Sequence, residues 1–201
     1  MADSFADIRA DIIADPANSD LGQLGFMPVY TASENARIMI VGQAPGRKAQ
    51  HSNVPWNDMS GDTLRKWMGV DRETFYNPDI FALVPMDFYY PGKGNHGDNP
   101  PRKGFAEQWH PRLLKLMPNV DLIILVGLYA QKYYLGKKAG KNLTETVFSY
   151  HDYLPDYFPL VHPSPLNFRW RAVNPWFEKE IVPALYERVQ RIINTGAQSG
   201  T

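Results

Sequence analysis

The sequence predicts an α/β protein, a three-layer α/β/α sandwich around a four-stranded, mainly parallel sheet. Two observations carry this. Four short apolar runs rich in β-branched residues, each 4 to 6 residues long, lack polar alternation, which suits strands buried on both faces. Helix-like segments lie between them, and strands alternating with helices build a sheet covered on both sides.

The first predicted strand is Arg37 to Val41 (RIMIV). Ser60 is a candidate cap for a helix from Asp62 to Met68. The second strand, Ile80 to Val84 (IFALV), leads to Tyr89 to Arg102 (YYPGKGNHGDNPPR), a Gly-, Pro- and Asn-rich loop without periodicity. Loops of this size in compact domains are often functional. A second helix runs from about Gly104 to Leu116 and stops before Pro118, followed by a third strand at Asp121 to Val126 (DLIILV). A third helix covers Leu128 to Leu135, and the fourth strand is Phe158 to Val161 (FPLV). From Pro175 to Asn194, residues Phe177, Ile181, Leu185, Val189 and Ile192 recur at spacings of three and four, the period of an amphipathic helix. Thr195 to Thr201 reads as a flexible tail. No internal repeat is present, and 201 residues with 44% hydrophobic and 13% aromatic content suffice for one domain spanning 1–201.

Twenty-one basic and 21 acidic residues give no net charge, so no global field attracts polyanions. Arg102 to Lys115 or Lys132 to Lys141 can still supply a local basic face; the plainer reading of each is a solvated helix face or turn. Cysteine is absent, which excludes disulfides, thiolate nucleophiles and Cys-ligated clusters. His51, His96, His110 and His151 lack metal-binding spacing such as HExxH, so they read as surface or loop residues, and neither metal nor cofactor is expected. The first twenty residues hold no apolar run of the kind a signal peptide or membrane span needs. The default expectation is a cytoplasmic, soluble monomer with no membrane partner.

In open parallel sheets, ligands bind beyond the carboxyl ends of the strands. Three segments belong there: Gly42 to Gly46 (GQAPG), the glycine-rich loop, and His162 to Asn167 (HPSPLN). GQAPG has neither the lysine of a P-loop nor the spacing of a dinucleotide fingerprint. In the last segment Pro163 and Pro165 fix φ and hold the preceding residues extended, so His162 sits on a stiff turn, with Leu166 four residues on. The bland reading is a strand end with a structural histidine.

A strand ending in GQAPG together with a later strand ending in HPSPLN resembles the uracil-DNA glycosylase superfamily. Its best-known members carry GQDPYH and HPSPLS at these places, and its iron–sulfur branches carry GEAPG or GLAPA with a later HPS. The resemblance spans roughly residues 37–170. It implies a monofunctional DNA glycosylase that flips uracil, or another deaminated base, out of DNA and hydrolyses its N-glycosidic bond. His162 matches the histidine that hydrogen-bonds the base oxygen as negative charge develops, an oxyanion-type role. Leu166 matches the leucine that fills the space left by the flipped nucleotide. Pro163, Ser164, Pro165, Asn167 and Arg169 join it as expected DNA contacts.

The first motif departs from the best-known pattern. Ala44 stands where the water-activating aspartate lies, and Gly46 where a tyrosine excludes thymine. The GLAPA branch places its aspartate downstream in a GDASG-like stretch, and Asn57 to Gly61 (NDMSG) is the similar stretch here. Asp58 is therefore the expected catalytic carboxylate; its plain reading is a helix cap. Trp56 falls where a phenylalanine stacks on the flipped base, with core packing as the alternative. Gly42, Gln43 and Ala44 complete the expected base-binding set. The four cluster cysteines are missing, and no base-selecting asparagine is evident after the second strand: Asp87 is the nearest polar residue, and Asn95 and Asn99 follow in the loop. A catalytically silent relative that binds nucleic acid or a free base is the competing class. A small-molecule enzyme cradling phosphate on GQAPG is more distant.

Overall fold

A computed structural model describes residues 3–95 and 97–197. In chain order the elements are α1 (Phe5–Ala14), α2 (Ser19–Gln23), β1 (Ile38–Val41), α3 (Arg47–Ser52), α4 (Met59–Met68), α5 (Arg72–Tyr76) and β2 (Phe81–Leu83). There follow β3 (Lys93–Gly94), β4 (Gly97–Asp98), α6 (Phe105–Lys115), β5 (Leu122–Val126), α7 (Leu128–Leu135), α8 (Leu143–Phe148) and β6 (Tyr157–Leu160). A 3₁₀ turn at Pro165–Asn167 leads into α9 (Phe168–Val173), and a π turn at Phe177–Ile181 into α10 (Val182–Ala197).

The main sheet has the order β2-β1-β5-β6, and all its pairings are parallel. One antiparallel bridge, Thr31 to Leu83, is added at the β2 edge. Alternate residues of the strands face opposite sides, which divides the core in two. Ile38, Ile40, Phe81, Leu83, Ile124 and Phe158 pack with Leu64, Phe75, Val147, Phe177 and Leu185, from α4, α5, α8, the π turn and α10. Met39, Val41, Ala82 and Leu125 pack with Ile8, Ile12, Trp109, Leu113 and Ala130, from α1, α6 and α7. This is the three-layer sandwich that the apolar runs imply.

Differences from the sequence expectations have local causes. The helix expected at Asp62 begins at Met59, because Asp58 rather than Ser60 is its cap: the Asp58 side chain accepts from the Gly61 amide. Arg37 lies outside β1 and instead pairs with Asp121 at the amino ends of the strands, away from the site. The segment read as one helix from Pro175 opens as a π turn, and Pro183, which lacks an amide hydrogen, follows closely on that π turn. The helix reaches Ala197; residues 198–201 of the expected tail lie outside the described residues, as does His96. The capping box at Ser4 and Asp7 that starts α1 went unread.

His110 corrects its surface assignment. It is fully buried in α6, with Nδ1 2.7 Å from the Tyr134 hydroxyl, Nε2 2.9 Å from the Pro85 carbonyl, and its ring stacked on Phe88. Desolvation lowers its pKa to about 4. No helix of the described residues is long and apolar enough to cross a membrane.

Candidate active site

The carboxyl ends of the four parallel strands set the site. After β1 the chain runs through Gly42 to Gly46, and the Met86 and Asp87 amides donate to the Gly42 and Gln43 carbonyls at 2.8 and 3.2 Å. This locks the first loop to the segment after β2. Gln131 on α7 is fully buried, and its Nε2 donates to the Leu125 and Leu160 carbonyls at 3.3 and 2.9 Å, pinning the ends of β5 and β6 together.

The loop after β6 is braced at every step. The Ser164 amide donates to His162 Nδ1 at 3.2 Å, the Leu166 amide to Ser164 Oγ at 3.2 Å, and Asn167 Nδ2 to the His162 carbonyl at 2.7 Å. A backbone donor on Nδ1 places the neutral ring's proton on Nε2, so the imidazole has a donor to offer. Burial pushes the His162 pKa below the ordinary histidine value, and the charges of Asp58 and Asp98 oppose that shift without reversing it. Leu166, at the tip, is 85% exposed.

The second contribution comes from the turn before α4. Trp56 has φ 56°, a left-handed conformation that is an outlier for a bulky residue. The Tyr76 hydroxyl donates to the Pro55 carbonyl at 2.9 Å. A Cβ on Gly61 would lie 1.9 Å from the Trp56 carbonyl oxygen, so only glycine lets the first turn of α4 approach this closely. A Cβ on Gly42 would lie 2.9 Å from the Trp56 ring. That ring stacks beside His162, centroids 5.8 Å apart and planes inclined 27°. Gly42, Trp56 and His162 thus meet in one place.

Asp58 is exposed and lies within electrostatic range of His162. Capping occupies only Oδ1, 2.9 Å from the Gly61 amide. Among the described residues Oδ2 has no hydrogen-bond partner. The cap therefore orients the carboxylate and leaves one oxygen for other work. His162 lines a cavity of about 240 Å³ together with Gln43, Gly127, Tyr129, Asn167 and Trp170 among others.

The family model described as the uracil DNA glycosylase superfamily matches residues 28–186. The chain belongs to the uracil DNA glycosylase superfamily. Among solved structures, it is similar to the solution NMR structure of a candidate uracil DNA glycosylase from Methanosarcina acetivorans: 16% identity, TM-score 0.46, covering 81% of this chain and 96% of that one.

For a member of this superfamily, the expected residues are placed as follows. Ala44 and Gln43 are half-buried in the first loop, and Gln43 Nε2 donates to the Asn99 carbonyl at 2.7 Å. Pro163 is buried beneath its turn, so its expected contact with DNA is withdrawn; it stiffens the loop instead. Ser164 and Asn167 are half-buried braces, while Pro165, Leu166 and Arg169 are exposed. Asp87 is wholly buried and gripped by Arg102 through contacts of 2.8 Å from Nε and Nη2, and it also accepts from the Tyr89 amide at 3.0 Å. It holds the loop after β2 and is not free to read a base.

Asp98 was missed. It sits on the small β3–β4 hairpin, accepts from the Tyr90 hydroxyl at 3.1 Å, and its charge reaches His162. The glycine-rich composition marked the loop as functional but gave no sign of which of its charges acts on His162. Among the described residues, no group of three His, Cys, Asp or Glu side chains is arranged to hold a metal ion.

Proposed function

We propose that the chain is a monofunctional DNA glycosylase that hydrolyses the N-glycosidic bond of uracil, or of another deaminated base, in DNA. One observation carries the proposal: Trp56, two residues before Asp58, stacks beside His162 from the other half of the sequence, which brings the turn before α4 against the loop after β6.

The chemistry follows from their positions. A flipped base lies against Trp56, where stacking contributes about 1–3 kcal/mol. The Trp56 and His162 rings are neighbours, 5.8 Å between centroids, so a base stacked on Trp56 comes within reach of the imidazole, whose Nε2–H can donate to a base carbonyl. As the C1′–N bond breaks, the bonding electrons leave with the base and its oxygen gains negative charge. A preorganised donor at that oxygen contributes about 10²–10³ in rate. Burial keeps His162 neutral, so it acts as a hydrogen-bond donor and not as an acid.

Asp58 supports the positive charge developing on the deoxyribose and orients the water that adds to C1′, as carboxylates do beside oxocarbenium-like centres. The water's oxygen bonds to C1′ and its proton passes to the carboxylate, leaving an abasic site and free base. Leu166 fills the vacated space in the stack; extrusion costs a few kcal/mol, and an apolar wedge offsets part of it. With Gly46 in place of a bulky wall residue, the pocket tolerates substituents at the base's C5.

The test is incubation with labelled oligonucleotides carrying uracil, hypoxanthine, xanthine or a thymine mismatch, with EDTA present. Free base and alkali-labile sites are expected from at least one deaminated base. Binding of the same oligonucleotides with no base released would establish the silent-binder class instead.

A further inference from the structure

The two basic segments of the sequence, Arg102 to Lys115 and Lys132 to Lys141, meet in space. Lys103, at the start of the first, and Lys132, on α7, line one open groove of about 340 Å³ together with Arg102, Glu107, Tyr129 and Tyr133. Lys103 and Lys132 are exposed, and among the described residues neither is in an ion pair. Arg102 is already committed to buried Asp87, and Glu107 is the one carboxylate on the groove. Tyr129 lines this groove and also the cavity beside His162, so one residue borders both.

We infer that this groove carries the DNA strand away from the flipped nucleotide, with Lys103 and Lys132 on backbone phosphates and Tyr129 as the surface it crosses. This rests on the glycosylase reading of the neighbouring cleft and adds where the substrate continues. A chain with zero net charge offers little net long-range attraction for a polyanion, so local groups of unpaired cations such as this pair have to supply affinity. An aromatic ring beside such a pair suits a strand with unpaired bases. Glu107 weakens the groove's potential and keeps the strand exchangeable.

The experiment is fluorescence anisotropy of a uracil-containing 25-mer over a salt series, with wild type, Lys103→Ala/Lys132→Ala and Lys115→Ala. Lys115 is exposed at the far end of α6 and controls for loss of positive charge alone. Loss of two phosphate contacts lowers the slope of log affinity against log salt by about 1.4–1.8, and weakens binding on the order of 25- to 60-fold at 0.1 M salt. Lys115→Ala leaves the slope unchanged, and Glu107→Gln tightens binding. An unchanged slope in the double variant, or an equal drop with Lys115→Ala, overturns the groove. Base release is scored in parallel: its absence in wild type refutes the glycosylase reading alone, because the salt slope needs no turnover.

Discussion

Asp58 has two candidate duties, and Asp58→Asn separates them. Its Oδ1 caps α4 at 2.9 Å from the Gly61 amide, while Oδ2 is unengaged among the described residues. Asparagine is as good a cap as aspartate and presents the same carbonyl oxygen, so Asp58→Asn should keep the helix start and change stability by no more than a few tenths of a kcal/mol. What it removes is the negative charge and the proton acceptor. Positioned acid–base groups contribute about 10²–10⁴ in rate, which is roughly 3–5 kcal/mol of barrier at about 1.4 kcal/mol per decade. Asp58→Ala removes both functions; the lost cap costs about 1 kcal/mol, or roughly 2–4 °C in a chain of this size. Single-turnover release of base from a labelled oligonucleotide, read beside a thermal melt, distinguishes the cases. The expected pattern is an unshifted melt with at least 100-fold slower release for Asp58→Asn, and equally slow release with a lowered melt for Asp58→Ala. Release by Asp58→Asn within threefold of wild type would reduce Asp58 to a cap and refute its catalytic role.

Four further outcomes follow. In a heteronuclear NMR titration His162 should carry its proton on Nε2 and titrate with a midpoint below the ordinary 6.5, since burial outweighs Asp58 and Asp98; a midpoint at or above that value contradicts the electrostatics of the cleft. Leu166→Ala, at an 85% exposed position, should leave the melt unchanged and slow release about 10-fold or more from base-paired DNA, with a smaller effect on single strands, because only the duplex has stacking and pairing to break. Gly61→Ala puts a Cβ 1.9 Å from the Trp56 carbonyl, so it should destabilise by roughly 1–3 kcal/mol and displace both Trp56 and Asp58, seen as a lower melt and lost release together. His110 is neutral and buried with a pKa of about 4 against 6.5 unfolded, so the unfolded chain binds the extra proton; its contribution, on the order of 3 kcal/mol, is complete above pH 6.5 and lost as pH falls toward 4. Denaturant melts from pH 7 to pH 4 should show that loss, and His110→Gln should flatten it.

The layers of the fold were legible because each central strand is an unbroken apolar run, a signal that survives without tertiary context. RIMIV, IFALV, DLIILV and FPLV each lie on an observed strand, to within a residue or two at the ends. The boundaries were less legible where a side chain outside the run decides them: Arg37 leaves its strand to pair with Asp121, and Asp58 starts α4 two positions before the residue expected to cap it. At the site, the stiff turn around His162 could be read from its two prolines, and the meeting of GQAPG with HPSPLN from their places after strands. Asp98 could not, since its approach to His162 depends on a hairpin of two-residue strands held by Tyr90. Nor could the burial of Asp87 and His110, whose partners Arg102 and Tyr134 lie on other elements. The same holds for the meeting of Lys103 and Lys132, one in the turn before α6 and the other on α7, which line one groove only in the folded chain.

In the proposed glycosylase the loops after β1 and β6, with the turn before α4, grip one nucleotide. Backbone and indole NMR shifts of Asp58→Asn, titrated with a uracil-containing oligonucleotide, test it directly. Gly42 and Gln43, the Trp56 indole, and His162 and Ser164 should all move along one binding isotherm. Saturation with only one of these groups responding would contradict it.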